Sequence, residues 1–186
     1  MPTIFSHALA AAAIGRVYTD KRLPGRFWLW TAVLAMLPDA DVVGFAFGIR
    51  YDDLFGHRGF THSLFFSALA GAIGAWLYER ADAGAARDAV RRLVSLAIFF
   101  ATVVASHALL DALTDGGRGV ALLSPFSNER FFFPWRPIAV SPIGVRFFSP
   151  RGVRVIVSEL WWIGLPSATI VLAAAAWRWT RKRAAS

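Results

Sequence analysis

The sequence predicts an all-α membrane protein of about five helices, with a metal-type polar site at the helix ends on one side. Three observations predict it. Hydrophobic residues make up 56% of the 186-residue chain, with 8 Trp and 16 Phe and a mean hydropathy of +0.50, too apolar for an ordinary soluble domain. Long apolar stretches alternate with short polar links. All four histidines lie beside carboxylates or turn residues near the ends of those stretches, where an unpaired polar group would be costly.

The elements follow in order. An Ala-rich helix is expected from Thr3 to Tyr18. A second runs from Arg26 to Leu37 and stops at Pro38, before an apolar, Gly-containing stretch from Val42 to Ile49. A third spans Thr61 to Glu79, a fourth Val90 to Leu113, and a fifth Glu159 to Trp179 with a kink expected at Pro166. The uncharged cores of the third, fourth and fifth suit a hydrocarbon layer of about 30 Å, which takes roughly 20 residues. The first two are short. Residues 1–186 form one domain, in which 116–158 is read as an irregular interfacial loop. The stripe from Phe131 to Trp135 reads as an anchor at the membrane surface.

Composition also excludes. There is no cysteine, so disulfide frameworks and thiolate metal sites are ruled out. The net charge of +8 is not a nucleic-acid signal, because the basic residues flank apolar segments. No cleavable signal peptide is expected, since Arg16 follows the first apolar stretch instead of preceding it.

If the helices alternate up and down, the chemistry collects on one side. His7 starts the first helix, and Asp39 and Asp41 follow the second. His57 and His62 precede and open the third. His107 and Asp111 end the fourth, and Glu159 opens the fifth. The opposite side carries Arg16, Lys21, Arg22, Arg26, Arg80, Arg87, Arg91, Arg92, Arg178, Arg181, Lys182 and Arg183, twelve of the 20 basic residues. The positive-inside rule places that side, and the C-terminus, in the cytoplasm, with the site facing the periplasm or exterior.

Each group has a plain reading beside the functional one. His107 and Asp111 share a helix face at i, i+4 and suit one metal, or a ligand with its supporting carboxylate; they also suit a helix-locking hydrogen bond. Asp115 would extend that face if the helix continued. His57 and His62 diverge on a regular helix, so a turn at Gly59 is expected. Asp39 and Asp41 could end a helix as an Asx turn. Glu159 could simply cap a helix, and Asp52 and Asp53 read as solvated loop residues. Together the groups offer imidazole and carboxylate ligands for one or two divalent ions, zinc first, manganese or magnesium as alternatives.

The stretches Ser6-His7, Leu37-Pro38-Asp39-Ala40-Asp41, His57-Arg58-Gly59-Phe60-Thr61-His62-Ser63, Ser106-His107 with Asp111 and Thr114, Pro125-Phe126 and Ser158-Glu159-Leu160 resemble the YdjM family of bacterial inner-membrane proteins, nearly end to end and in the family's order. The resemblance implies a metal-dependent hydrolase with distant similarity to zinc-dependent phospholipases C, and no particular substrate. On this reading His7, Asp39, Asp41, His57, His62, His107 and Asp111 hold metal. Asp41 or Glu159 acts as base, and Arg58 neutralises charge on a phosphoryl oxygen. The expected substrate is a lipid or lipid-linked phosphoester at the bilayer surface, with no nucleic acid involved. The alternatives are a non-enzymatic membrane protein that binds or moves metal, and a structural protein whose polar groups knit helices.

Overall fold

A computed structural model describes residues 1–19, 23–81, 89–142 and 144–184. Among the described residues there are six α-helices: α1 (Ile4–Tyr18), α2 (Gly25–Met36), α3 (Leu64–Arg80), α4 (Ala89–Ala112), α5 (Pro150–Glu159) and α6 (Leu165–Ala184). Among the described residues there are no strands, only isolated bridges at Thr114–Ile138 and Val120–Phe131. Lys21, Arg22 and Arg87 lie outside the described residues.

Helix α4 is the central element and packs on α1, α2 and α3. Its inner face supplies Phe99, Phe100, Val103 and Val104, all buried against Phe27, Leu34 and Tyr78. The Phe27 ring stacks on Phe99 at 5.1 Å and meets Tyr78 edge-on at 6.3 Å. The approach of α3 to α4 is very close: a Cβ on Gly71 would sit 2.4 Å from the Ala101 nitrogen. Small residues at such crossings are how membrane helices gain packing contact without a hydrophobic driving force.

The second α-helix ends at Met36, just before Pro38, as expected, but the chain continues in line. The proline ring occupies the first turn of a 3-10 run, Leu37–Phe47, where a missing N–H costs nothing. The joined element, Gly25–Phe47, is 23 residues long and apolar enough to cross a membrane, as are Ala89–Ala112 and Pro150–Arg181. Helix α3, expected to span, has only 17 residues. The fifth segment starts earlier than Glu159: Ser149 and Pro150 begin a helix, so the irregular loop ends at 149, and Glu159 lies within the helical rod instead of opening it. The chain then makes a π turn, Leu160–Gly164, closed by Leu165 N–H to the Leu160 carbonyl. The expected irregularity at Pro166 is therefore met just ahead of it, where the ring cannot donate to Trp162.

Large apolar side chains face outward from these rods, including Leu29, Ile98 and Leu172, as a lipid-facing surface requires. At one end of the bundle, Arg178 donates to the carbonyls of Arg16 and Val17, and Arg26 donates to that of Ala81. The histidines gather at the other.

Candidate metal centre

Four helix ends converge here. The start of α1 brings His7, and the 3-10 run after α2 brings Asp39 and Asp41. The turn before α3 brings His57, Arg58 and His62, and the last two turns of α4 bring His107 and Asp111. The turn at 56–59 is tight enough that a Cβ on Gly59 would lie 2.4 Å from the Leu54 carbonyl oxygen. It leaves Arg58 in the left-handed region at φ 63°, a conformation costing about 1–2 kcal/mol.

Asp39, His62, His107 and Asp111 form one group that could hold an ion; Asp41, His57 and His62 form a second. Within the first, His107 Nε2 is 3.2 Å from Asp39 Oδ1. His62 Nε2 is 3.6 Å from Asp39 Oδ1 and 3.5 Å from Asp111 Oδ2. His7 Nε2 stands 3.7 Å from Asp111 Oδ1, and its ring stacks on His107 at 3.6 Å. Nitrogens or oxygens bound about 2.0–2.2 Å from one ion lie about 3.0–3.6 Å from one another, so the spacing fits. All these atoms are buried, and apart from Asp111 Oδ2, which pairs with Arg58, none has a hydrogen-bond partner among the described residues. Buried polar atoms are otherwise nearly always satisfied.

The tautomers fit as well. A carbonyl can only accept, so His107 Nδ1 donates to the Ala35 carbonyl at 2.7 Å, leaving the Nε2 lone pair aimed at Asp39. His62 Nδ1 faces Asp41 Oδ2 at 3.2 Å and Thr61 Oγ1 at 3.1 Å, while its Nε2 faces Asp39 and Asp111.

Asp41 is surrounded differently. It lies 2.7 Å from His57 Nδ1 and accepts from Thr61 Oγ1 at 2.8 Å and the Arg58 amide at 3.2 Å. Carboxylate, Thr61 and two imidazoles form a satisfied network around the orphaned cluster. Arg58 is fully buried and committed on three sides. Its Nε is 2.9 Å from Asp111 Oδ2, and its two terminal nitrogens donate to the Gly116 carbonyl and Thr114 Oγ1, each at 3.0 Å.

Glu159 is not brought into either group. Its buried carboxylate accepts from the Thr3 amide and from the hydroxyls of Thr3 and Ser6, tying the start of α1 to the end of α5. Asp115 lies beyond the end of α4 and accepts from the Val140 amide. Asp52 pairs with Arg118, and Asp53 with Arg50. Trp135 is exposed and meets Trp162 edge-on. Thr61 and Thr114 lie inside the sequence motifs, which mark no role for them. Arg130, which ties the His57 and Tyr51 carbonyls together, has no motif to mark it.

Burial lowers the basicity of His62, but the carboxylates of Asp111, Asp39 and Asp41 outweigh it and raise its pKa from 6.5 to about 10. The metal-free site therefore holds a proton on His62 below about pH 10. A ligand imidazole must be neutral, so a binding cation expels that proton. Affinity should rise about tenfold per pH unit between roughly pH 6 and 8. Chelator competition reads the slope; affinity that stays flat or falls with pH would contradict it.

Fold and site together define a helical membrane protein with a buried His/Asp cluster able to hold a metal ion. The family described as "YdjM inner membrane protein" matches residues 1–184, and the chain belongs to that family. It is similar to "Inner membrane protein YbcI" of Escherichia coli (strain K12), with 42% identity over 173 residues, covering 92% of this chain and 95% of that protein. No solved structure matches the chain significantly.

Proposed function

We propose that this protein is a membrane-bound metal-dependent hydrolase that cleaves a phosphoester of a lipid or lipid-linked substrate. The observation that carries the reading is the set of buried nitrogens and oxygens of His7, Asp39, His62, His107 and Asp111, spaced for an ion at the helix ends, in which Asp111 Oδ2 is paired with Arg58 and the others have no hydrogen-bond partner among the described residues. These five residues hold one divalent ion, zinc first, manganese or magnesium next. Such an ion supplies Lewis acidity and activates water at neutral pH.

The remaining residues orient the site. Asp41 fixes His62 with Nε2 toward the cluster and anchors His57. This is the outer-partner arrangement that keeps a ligand imidazole in one tautomer. Arg58 holds Asp111 in place. Asp39 Oδ2, unpartnered and on the less enclosed of the two cluster carboxylates, accepts a hydrogen bond from the attacking water and orients it. Glu159 positions α1, and through it His7. The basic helix ends support a site on the periplasmic side and a cytoplasmic C-terminus.

One observation favours a second reading, a non-enzymatic holder or carrier of metal: every ligand is buried, His62, His107 and Asp111 completely. Against it, His7, His62, His107 and Asp111 sit at helix ends, and Asp39 alone among the five falls at a break, the α-to-3-10 junction within Gly25–Phe47, whereas transport sites gather at broken helices near the midplane.

The test is turnover of lipid phosphoesters by reconstituted, metal-reloaded protein, beside Asp41→Asn. The substitution keeps the shape but loses the charge behind His62, so metal affinity and activity at limiting metal should fall about 10–100-fold. Metal-loaded protein that hydrolyses no phosphoester while carrying metal into vesicles would decide for the second reading.

A further inference from the structure

Beside the cluster, a cleft of about 390 Å³ runs between α1, α4 and the rod made by the π turn and α6. Ala10, Ile14 and Val17 line it from α1, Leu110 from α4, and Ile163 and Ile170 from the rod. His7, Ala10, Ile14 and Val17 are spaced i, i+3, i+7, i+10, which puts them on one face of α1. The face that presents His7 to Asp111 is therefore the face that lines the cleft. On α4, Leu110 immediately precedes Asp111. The cleft starts at the height of the metal cluster and runs about 10 Å down α1, at 1.5 Å per residue. Two of its three walls belong to segments long and apolar enough to span a membrane, so it opens where the surrounding medium is hydrocarbon.

We infer that this cleft holds an acyl chain of the glycerophospholipid whose phosphoester lies at the metal cluster. The inference rests on the metal-site reading and adds the half of the substrate that the cluster does not touch. The bilayer around the cleft consists mainly of such chains. A chain lying on the His7 face of α1 brings its own headgroup to the height of His7 and Asp111. Binding energy gathered along this remote chain then serves to orient the reacting group.

The experiment uses full-length protein in nanodiscs of phosphatidylethanolamine and phosphatidylglycerol, with a trace of phosphatidylglycerol carrying a photoactivatable diazirine on one acyl chain. After a brief flash, labelled residues are located by peptide mass spectrometry, and bound metal is measured on the same samples. The expected label concentrates on the cleft residues, several-fold above the outward face at Leu172. It drops several-fold when metal is stripped, and when the probe is a diacylglycerol without phosphate. Ala10→Phe or Ile170→Phe, filling the cleft from opposite walls, should remove the label while leaving the metal bound; Leu172→Phe should change neither. Cleft labelling no higher than at Leu172, or indifferent to metal and headgroup, would mean surrounding lipid only and would overturn the inference. Stronger displacement by polyprenyl phosphate than by unlabelled phosphatidylglycerol would overturn the acyl assignment. Wild-type protein that binds no metal would instead overturn the site reading, so the two failures are distinct.

Discussion

His107→Ala and His62→Ala should each yield a membrane-inserted protein that retains no divalent metal after desalting and turns over nothing. Both imidazoles aim Nε2 into the same cluster, and each is locked in that tautomer from behind, His107 by the Ala35 carbonyl and His62 by Asp41 and Thr61. Losing an outer partner of a ligand costs about 10–100-fold in affinity, so losing the ligand itself should cost more than about 100-fold. Asp39 and Asp111 would also face each other across the site with less to neutralise them. Equilibrium dialysis against each ion measures the loss. Metal retained at wild-type affinity in either variant would remove that histidine from the site.

The second large effect belongs to Arg58. Its guanidinium lies 2.9 Å from Asp111 Oδ2, and both groups are enclosed. Removing one member of a buried ion pair leaves an uncompensated charge and costs about 3–5 kcal/mol. Arg58→Ala should therefore lower the unfolding midpoint sharply. Arg58→Lys should not restore it, because a single ammonium cannot meet Asp111, Gly116 and Thr114 from the angles the planar fork reaches. Adding Asp111→Asn to Arg58→Ala should recover part of the loss, since the stranded charge is then gone. An Arg58→Ala protein as stable as wild type would contradict the assignment of Arg58 as the support of Asp111.

Much of this site was legible in the sequence, for a definite reason. Alternating apolar segments fix which ends lie together, so His7, Asp39, Asp41, His57, His62, His107 and Asp111 could be placed at one end of the bundle by counting. What counting cannot give is direction. Asp41 and Arg58 read as catalytic groups because they are charged and close to histidines. Besides His57, His62 and Asp111, they are held by the Thr61 hydroxyl, the Thr114 hydroxyl and the Gly116 carbonyl, uncharged groups whose direction no spacing reveals. Glu159 was placed at a helix start because the strongly apolar run begins there. Ser149 and Pro150, ordinary start signals, open an amphipathic turn earlier, and the carboxylate ends up holding α1. Pro38 reads as a stop because proline breaks α-helical bonding, and the α-helix does end at Met36; the tighter 3-10 run beyond tolerates the ring and prolongs the rod.

Elemental mass spectrometry on wild-type protein purified in detergent shows whether this buried cluster holds a metal ion. About one equivalent of a divalent ion per chain is expected, at a site spaced for it. Protein that stays metal-free after reloading with zinc, manganese or magnesium would contradict it, and would leave the histidines and carboxylates as a means of joining helices.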